Sequence, residues 1–85
     1  MKITYFSAKW CTPCNTFGPL LEEVLKDYPQ IELEKQDMDS SAGQYVGHQY
    51  GIRSIPSMVV PNQPLVVGTM DEKALRAYFD KVTGE

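Results

Sequence analysis

Long apolar runs are absent from this sequence of 85 residues, and no segment approaches the roughly 20 apolar residues that span a membrane. The first seven residues also lack the apolar stretch of a secretory signal peptide, so we expect a cytoplasmic protein without membrane association. Clusters of basic residues are missing too, because the eight lysines and arginines are scattered and the formal net charge is −3. That distribution argues against nucleic-acid binding, and the length predicts a single domain over residues 1–85.

Cysteine is scarce as well, with only Cys11 and Cys14 in the chain. Small secreted domains that depend on disulfides usually carry four or more cysteines spread along the sequence. A bridge between Cys11 and Cys14 closes almost no loop, so it contributes little stability by restricting the unfolded chain. The pair therefore favours two hypotheses, which are thiol redox chemistry and one half of a metal site.

The first half of the chain has the pattern of a helix between two strands. Lys2–Ser7 and Ile31–Gln36 have the composition or the two-residue alternation of strands. An apolar stripe between them predicts a helix that begins near Thr12 and ends at Pro29. The stripe comprises Phe17, Leu20, Leu21, Val24, Leu25 and Tyr28.

A second helix is predicted from the capping-box spacing of Ser41 and Gln44, and it ends at Gly51 with Tyr45 and Tyr50 in the core. The order of predicted elements in the whole chain is β-α-β-α-β-β-α. This order predicts an α/β fold in which a four-stranded mixed sheet is flanked by three helices.

The last part of the chain predicts a hairpin followed by the third helix. Ser57–Val60 and Leu65–Val67 are the two predicted strands, with a turn between them. Thr69 and Glu72 again have capping-box spacing at the start of the last helix.

Cys11 lies where the first predicted helix begins. Unpaired backbone N–H groups and the helix dipole stabilise negative charge there, which favours the thiolate form of a cysteine. Since the thiolate is the nucleophile, Cys11 is the candidate to attack a disulfide and form a mixed disulfide. Cys14 lies almost one turn further along and is the candidate to attack Cys11 and release the reduced product.

The segment Ile3–Pro19, ITYFSAKWCTPCNTFGP, resembles the active-site region of thioredoxins. In that family a strand leads into a Trp-Cys-x-Pro-Cys turn and then a helix that contains a proline five positions after the second cysteine. Tyr50–Ser57, YGIRSIPS, is similar to the family's segment that ends in a cis-proline, and Gly68 and Lys35 also fall at positions typical of the family. The resemblance runs from about Lys2 to Val82 and implies a thioredoxin-like fold.

The resemblance also implies how such a protein works. Reduction of disulfides in substrate proteins is expected, with electrons from NADPH through a flavoenzyme of the thioredoxin-reductase type and no bound cofactor besides the Cys11–Cys14 disulfide. A monomer is expected, and Pro13 favours reduction over oxidation. The Ile55–Pro56 bond is expected to be cis and to pack against the cysteines. The expected substrate-binding residues are Trp10, Thr12, Pro13, Ile55, Pro56 and Gly68.

Several residues depart from the thioredoxin pattern. Thioredoxins commonly have a buried aspartate six residues before the first cysteine, where this chain has Tyr5. A phenol with a pKa of about 10 is a poor base at neutral pH. Either Lys35 and water manage the proton of Cys14, or the site is tuned differently, so Lys35 and Tyr5 are the candidates for proton transfer or tuning. Glu22 and Glu23 are predicted to be solvated. Thr12 replaces the usual glycine, and the family's N-terminal strand and helix have no counterpart here.

Two alternatives to a thioredoxin activity remain open, one from these departures and one from the isolated cysteine pair. A glutaredoxin-like reductase that uses glutathione needs contacts near Ile55, Gly68 and Asp71, and only Arg53 and Lys9 are nearby cations. A metal-binding module needs two further ligands from a second chain, because four-coordinate zinc cannot be completed by one cysteine pair.

Overall fold

A computed structural model describes residues 1–84 and has the predicted order of elements. The strands are β1 (Lys2–Ser7), β2 (Glu32–Asp37), β3 (Ser57–Val59) and β4 (Val66–Val67). The helices are α1 (Thr12–Leu25), α2 (Ser41–Gln49) and α3 (Glu72–Thr83). The strands form one sheet in the order β2-β1-β3-β4. Strand β1 is parallel to β2 and antiparallel to β3, and β3 is antiparallel to β4, so the sheet is mixed as predicted.

Strand β1 is central in the sheet and is buried on both faces, because its side chains alternate between two helical layers. Ile3 and Tyr5 lie in the main core with residues of α1 and α3. Phe6 faces the other way, where its ring lies 6.2 Å from that of Tyr50, just after α2. The sheet is therefore covered by helices on both faces, and β1 leads from the middle of the core to the cysteine pair.

Helix α1 begins at Thr12 as predicted, and Pro19 lies inside it. It ends at Leu25, four residues earlier than the prediction, and Tyr28 lies beyond the helix. The Tyr28 ring still packs in the core, 5.4 Å from the ring of Phe79. A turn that follows a helix can keep the same face buried, so the apolar stripe extended past the true end of the helix.

Both predicted capping boxes are wrong by one or two residues. Helix α2 is capped by Ser40, whose Oγ accepts a hydrogen bond from the N–H of Gly43 at 2.9 Å. Gln44 does not reach back to the cap, and its side-chain amide donates to the carbonyl of Met38 at 3.0 Å. Helix α3 is capped by Asp71, whose Oδ1 accepts from the N–H of Ala74 at 2.8 Å.

The core assignments of Tyr45 and Tyr50 are also wrong, since these residues are 67% and 51% exposed. The buried positions of α2 are glycines, Gly43 and Gly47. A β-carbon at Gly43 would lie 1.9 Å from the carbonyl oxygen of Asp37, so the helix backbone approaches the end of β2 too closely for a side chain. Tyr45 therefore lies on another side of the helix, and Tyr50 follows the helix with its ring edge-on to Phe6.

Asp71→Ala is expected to lower the free energy of unfolding by about 1 kcal/mol, because the N–H of Ala74 loses its capping acceptor. Thr69→Ala is the matched control, since Thr69 is exposed and was the cap predicted by spacing alone. Urea titration of both variants measures the difference. A larger loss in Thr69→Ala than in Asp71→Ala would contradict the observed cap.

Candidate active site

The cysteine pair lies where the chain leaves β1 and enters α1. Cys11 is the N-cap of α1, and its Sγ accepts a hydrogen bond from the backbone N–H of Cys14 at 3.3 Å. The N–H of Cys11 donates to the carbonyl of Ala8 at 3.1 Å, which fixes the turn between strand and helix. The N–H of Cys14, in the first turn of α1, therefore points toward the Cys11 sulfur. This arrangement stabilises the thiolate of Cys11 when the disulfide is open.

A disulfide joins Cys11 and Cys14, whose Cα atoms are 5.2 Å apart. Both residues are buried, with 5% and 4% of their surface exposed, so burial alone does not separate a nucleophile from a resolving thiol. The Cys11 sulfur accepts a hydrogen bond from the start of the helix, which favours Cys11 as the nucleophile. The pair packs in a small apolar cluster with Ala8, and Met38 and Ile55 lie against this cluster.

The loop before β3 lies beside the cysteines. The Ile55–Pro56 peptide bond is cis, Pro56 is buried, and Ile55 packs against the cysteine cluster. The N–H of Gly68 donates to the carbonyl of Pro56 at 2.8 Å, and Gly68 has a φ of 94°, a conformation that favours glycine. The carbonyl of Pro56 is thereby paired within the protein.

Trp10, Thr12 and Pro13 are all exposed around the disulfide. Trp10 is 68% exposed, and its Nε1–H donates to Oδ1 of Asp39 at 2.7 Å, which holds the indole ring in place. A groove of about 480 Å³ lies next to this ring. The groove is lined by Trp10, Met38, Gln44, Ile52, Arg53, Ser54 and Ile55.

Lys35 and Tyr5 lie on another side of the disulfide, where both line a pocket of about 330 Å³ together with Cys14. The Nζ of Lys35 forms an ion pair with Oε1 of Glu22 at 2.5 Å. Sequence analysis missed Glu22, because it treated Glu22 and Glu23 alike as solvated carboxylates. The partner of Glu22 lies on β2, thirteen positions further along the chain, and no local pattern indicates it.

The hydroxyl of Tyr5 is buried and has no hydrogen-bond partner among the described residues. Burial raises the pKa of Tyr5, the nearby Ser7 hydroxyl lowers it in part, and the charge of Glu22 raises it further. Tyr5 therefore stays neutral at physiological pH and cannot accept a proton as a phenolate. The β-carbon that Gly18 lacks would lie 3.5 Å from the Tyr5 hydroxyl, so Gly18 leaves open space beside it.

Stability is expected to fall as the pH rises above about 10, because burial raises the pKa of Tyr5 and of Tyr78 above the value of the unfolded chain. The unfolded chain releases these protons first, so the free energy of unfolding decreases with pH in that range. The double variant Tyr5→Phe/Tyr78→Phe should show a shallower decrease in urea titrations between about pH 9.5 and 11.5. Tyr45→Phe, at an exposed tyrosine, is the control, and equal slopes in the double variant and the wild type would contradict the expectation.

Comparison with known proteins assigns the family. The thioredoxin family model matches residues 1–81. The chain belongs to the thioredoxin family. Members of this family use a redox-active disulfide and need no bound cofactor, in line with the disulfide at the start of α1.

Two thioredoxin relatives show how much of the family's length is present. The chain is 33% identical over 81 residues to thioredoxin 1 of Synechococcus elongatus, which covers 89% of the chain and 74% of the relative. It is 34% identical over 84 residues to the chloroplastic M-type thioredoxin of Zea mays, which covers 93% of the chain. The chain spans about half of that maize protein, 49% of its length.

A solved thioredoxin has the same fold. The structure of oxidized thioredoxin O2 from Arabidopsis thaliana superimposes with a TM-score of 0.79 at 23% sequence identity. The match covers 95% of this chain and 73% of that structure.

Within residues 1–84, no group of three or more His, Cys, Asp or Glu side chains is arranged to hold a metal ion. No helix in the same range is long and apolar enough to cross a bilayer.

Proposed function

We propose that this thioredoxin-family protein is a thiol-disulfide oxidoreductase that reduces disulfide bonds in other proteins. The observation that carries the proposal is the Cys11–Cys14 disulfide at the start of α1, where the Cys11 sulfur accepts a hydrogen bond from a backbone N–H. A sulfur held in this way leaves a disulfide readily as a thiolate and attacks another disulfide readily.

The reaction begins with the reduced protein. The Cys11 thiolate attacks one sulfur of the substrate disulfide, forming a mixed disulfide and releasing the other substrate sulfur as a thiolate. Cys14 then loses its proton and attacks the Cys11 sulfur. The Cys11–Cys14 disulfide forms, and the second substrate sulfur leaves. Two electrons have passed from the protein to the substrate, and both substrate sulfurs have become thiols.

The groove beside Trp10 is the proposed binding place for the substrate chain. Ile55 lines the groove and packs against the cysteine cluster, so a segment bound there lies close to the disulfide. An extended segment can pair with the backbone of Ile55 as a short added strand. The proposed binding residues are Trp10, Thr12, Pro13, Ile55, Pro56 and Gly68.

The oxidised protein must be reduced again before each turnover. We assign this step to a flavoenzyme of the thioredoxin-reductase type that takes electrons from NADPH, so the protein itself binds no redox cofactor. Such a cycle belongs in a reducing compartment, which favours the cytoplasm. A monomer is proposed, since one chain contains both cysteines and the groove.

A glutathione-dependent reductase is the second candidate, and one observation favours it. Arg53 lines the groove next to Ile55 and offers a cation for a glutathione carboxylate. Oδ1 of Asp71 accepts the capping hydrogen bond of α3 from the N–H of Ala74, which leaves the second carboxylate oxygen for a glutathione amine.

Two parallel assays separate these candidates. The oxidised protein is incubated with insulin and NADPH plus thioredoxin reductase, or with insulin and glutathione plus glutathione reductase and NADPH. We expect insulin reduction and NADPH consumption only with thioredoxin reductase. Turnover only with glutathione would assign the glutaredoxin-like activity, and no reduction in either assay would overturn the proposed function.

A further inference from the structure

Met38 has a thioether at the groove beside Trp10, and the function proposed above gives this sulfur no role. Met38 comes directly after β2, lines the groove of about 480 Å³ and packs against the apolar cluster of the cysteine pair. A β-carbon at Gly47 would lie 2.9 Å from the Sδ of Met38 and 2.8 Å from its Cε, so the thioether rests on the backbone of α2. One side chain therefore touches the cysteine cluster, the groove and a helix.

The four methionines of the chain differ in how far an oxidant in solution can reach them. Met58 is buried, with 1% of its surface exposed, whereas Met1 is 45% exposed. Met70 is partly buried against the main core and does not line the groove. Met38 is partly buried too, but small oxidants reach it from the groove that it lines. Met38 is thus the methionine that combines access from solvent with a place at the proposed substrate site.

The backbone of Met38 is held on both sides, which leaves the side chain to absorb a chemical change at the sulfur. The N–H of Met38 donates to the carbonyl of Ser7 at 2.8 Å, and its carbonyl accepts from the side-chain amide of Gln44 at 3.0 Å. Oxidation of the thioether would add a polar oxygen, and the side chains of the cysteine cluster are apolar. Burying that oxygen without a hydrogen-bond donor is unfavourable, so it turns toward the groove.

We propose that Met38 is an oxidation site, at which hydrogen peroxide forms a sulfoxide and weakens the binding of substrate proteins in the groove. This inference rests on the proposed function, since it requires substrate proteins to bind beside Trp10. In the reaction the O–O bond of the peroxide breaks, one oxygen forms an S–O bond with the thioether, and the other leaves as water. The sulfur loses two electrons and the peroxide gains them. A methionine sulfoxide reductase with a thiol reductant reverses the change.

The first measurement asks which methionines react. The disulfide form of the protein is treated with peroxide, because the Cys11–Cys14 bond leaves no free thiol to be oxidised. Mass spectrometry of proteolytic peptides then measures the added oxygen at each methionine. We expect Met38 to be oxidised while Met58 remains intact. Equal rates of oxidation at Met38 and Met58 would contradict access through the groove.

The second measurement follows substrate binding. Dithiothreitol opens the disulfide of the treated protein and is removed, and the protein then reduces excess insulin in a single turnover. At low insulin concentration we expect the rate to fall by about tenfold, because a polar S–O group in an apolar groove weakens binding. Reduction of a small aromatic disulfide, which does not fill the groove, should stay within about twofold of the untreated protein. Repair by a methionine sulfoxide reductase should restore the insulin rate.

Trp10 supplies a readout that does not depend on activity. It is the one tryptophan in the sequence and lines the same groove as Met38. A sulfoxide in that groove should shift the fluorescence emission of Trp10, and repair should reverse the shift. Unchanged emission in a sample with fully oxidised Met38 would show that the oxygen does not enter the groove and would overturn the inference.

Met38→Leu is the decisive control, because leucine is apolar and similar in size but has no sulfur. Compared with its own untreated sample, it should show no change in insulin rate or emission after peroxide. Met70→Leu is the matched variant and should stay as sensitive as the wild type. A loss in Met38→Leu equal to that of the wild type would assign the damage to another residue and overturn the inference. If the untreated wild type does not reduce insulin, the proposed function fails instead, and the peptide map and Trp10 emission still test the oxidation site.

Discussion

Cys11→Ser is expected to abolish the reduction of protein disulfides, leaving only the rate seen without the protein. The hydroxyl of serine is not ionised at neutral pH and does not attack disulfides, and the chain has no thiol besides Cys14. Within residues 1–84, the hydrogen bond from the start of α1 goes to the Cys11 sulfur and not to that of Cys14. Insulin reduction with NADPH and thioredoxin reductase measures the loss.

The fold should survive this substitution, which makes the activity result interpretable. Serine is a preferred N-cap residue, and its Oγ can accept from the N–H of Cys14 in place of the sulfur. Reduced wild type and Cys11→Ser should therefore unfold at nearly the same urea concentration. Activity retained by Cys11→Ser would place the nucleophile at another residue.

Gly43→Ala is expected to lower the free energy of unfolding by about 3 kcal/mol, which is a large part of the stability of so small a domain. The new methyl group would lie 1.9 Å from the carbonyl oxygen of Asp37 and 2.9 Å from the Oγ of Ser40. Helix α2 must then move away from the end of β2 and loses its cap. Chemical denaturation of the reduced and oxidised protein measures the effect.

Gly47→Ala is the control for this prediction. Its methyl group would lie 2.8 Å from the Cε of Met38, the end of a flexible side chain that can rotate away. Alanine also favours the helix over glycine by about 1 kcal/mol, so we expect a change of less than about 1 kcal/mol. Equal losses in the two variants would show that the close approach at Gly43 is not what limits stability.

The order of elements could be predicted because each element has a strong local pattern. The β-branched and aromatic composition of β1, the alternation in β2 and the apolar stripe of α1 are properties of neighbouring residues. The cap of α3 was predicted wrongly because Thr69 and Asp71 are both good capping residues, and spacing to Glu72 does not decide between them. The cap depends on where the chain leaves β4, which is a property of the folded sheet.

The burial of α2 could not be predicted from hydrophobicity. Tyr45 in α2 and Tyr50 just after it are the large aromatic side chains of the segment, yet the buried positions of α2 are its glycines. Close approach to the carbonyl of Asp37 is a tertiary constraint, and it reverses the expected inner and outer sides of the helix.

The cysteine pair of the candidate site could be predicted from sequence, and its surrounding charges could not. Cys11 at the start of a helix follows from the strand and helix patterns around it. Glu22 and Glu23 are adjacent and chemically identical, and only the pairing of Glu22 with Lys35 across the pocket separates them. Such pairs depend on how the folded chain brings residues of α1 and β2 to the same pocket.

The central claim is that Cys11 forms a mixed disulfide that Cys14 resolves. The most direct measurement uses reduced Cys14→Ser protein with a disulfide-containing substrate protein, followed by non-reducing electrophoresis and mass spectrometry of the linked peptides. We expect a stable complex joined through Cys11 that dithiothreitol releases. Absence of a complex, while Cys14→Ser keeps full turnover, would contradict the account.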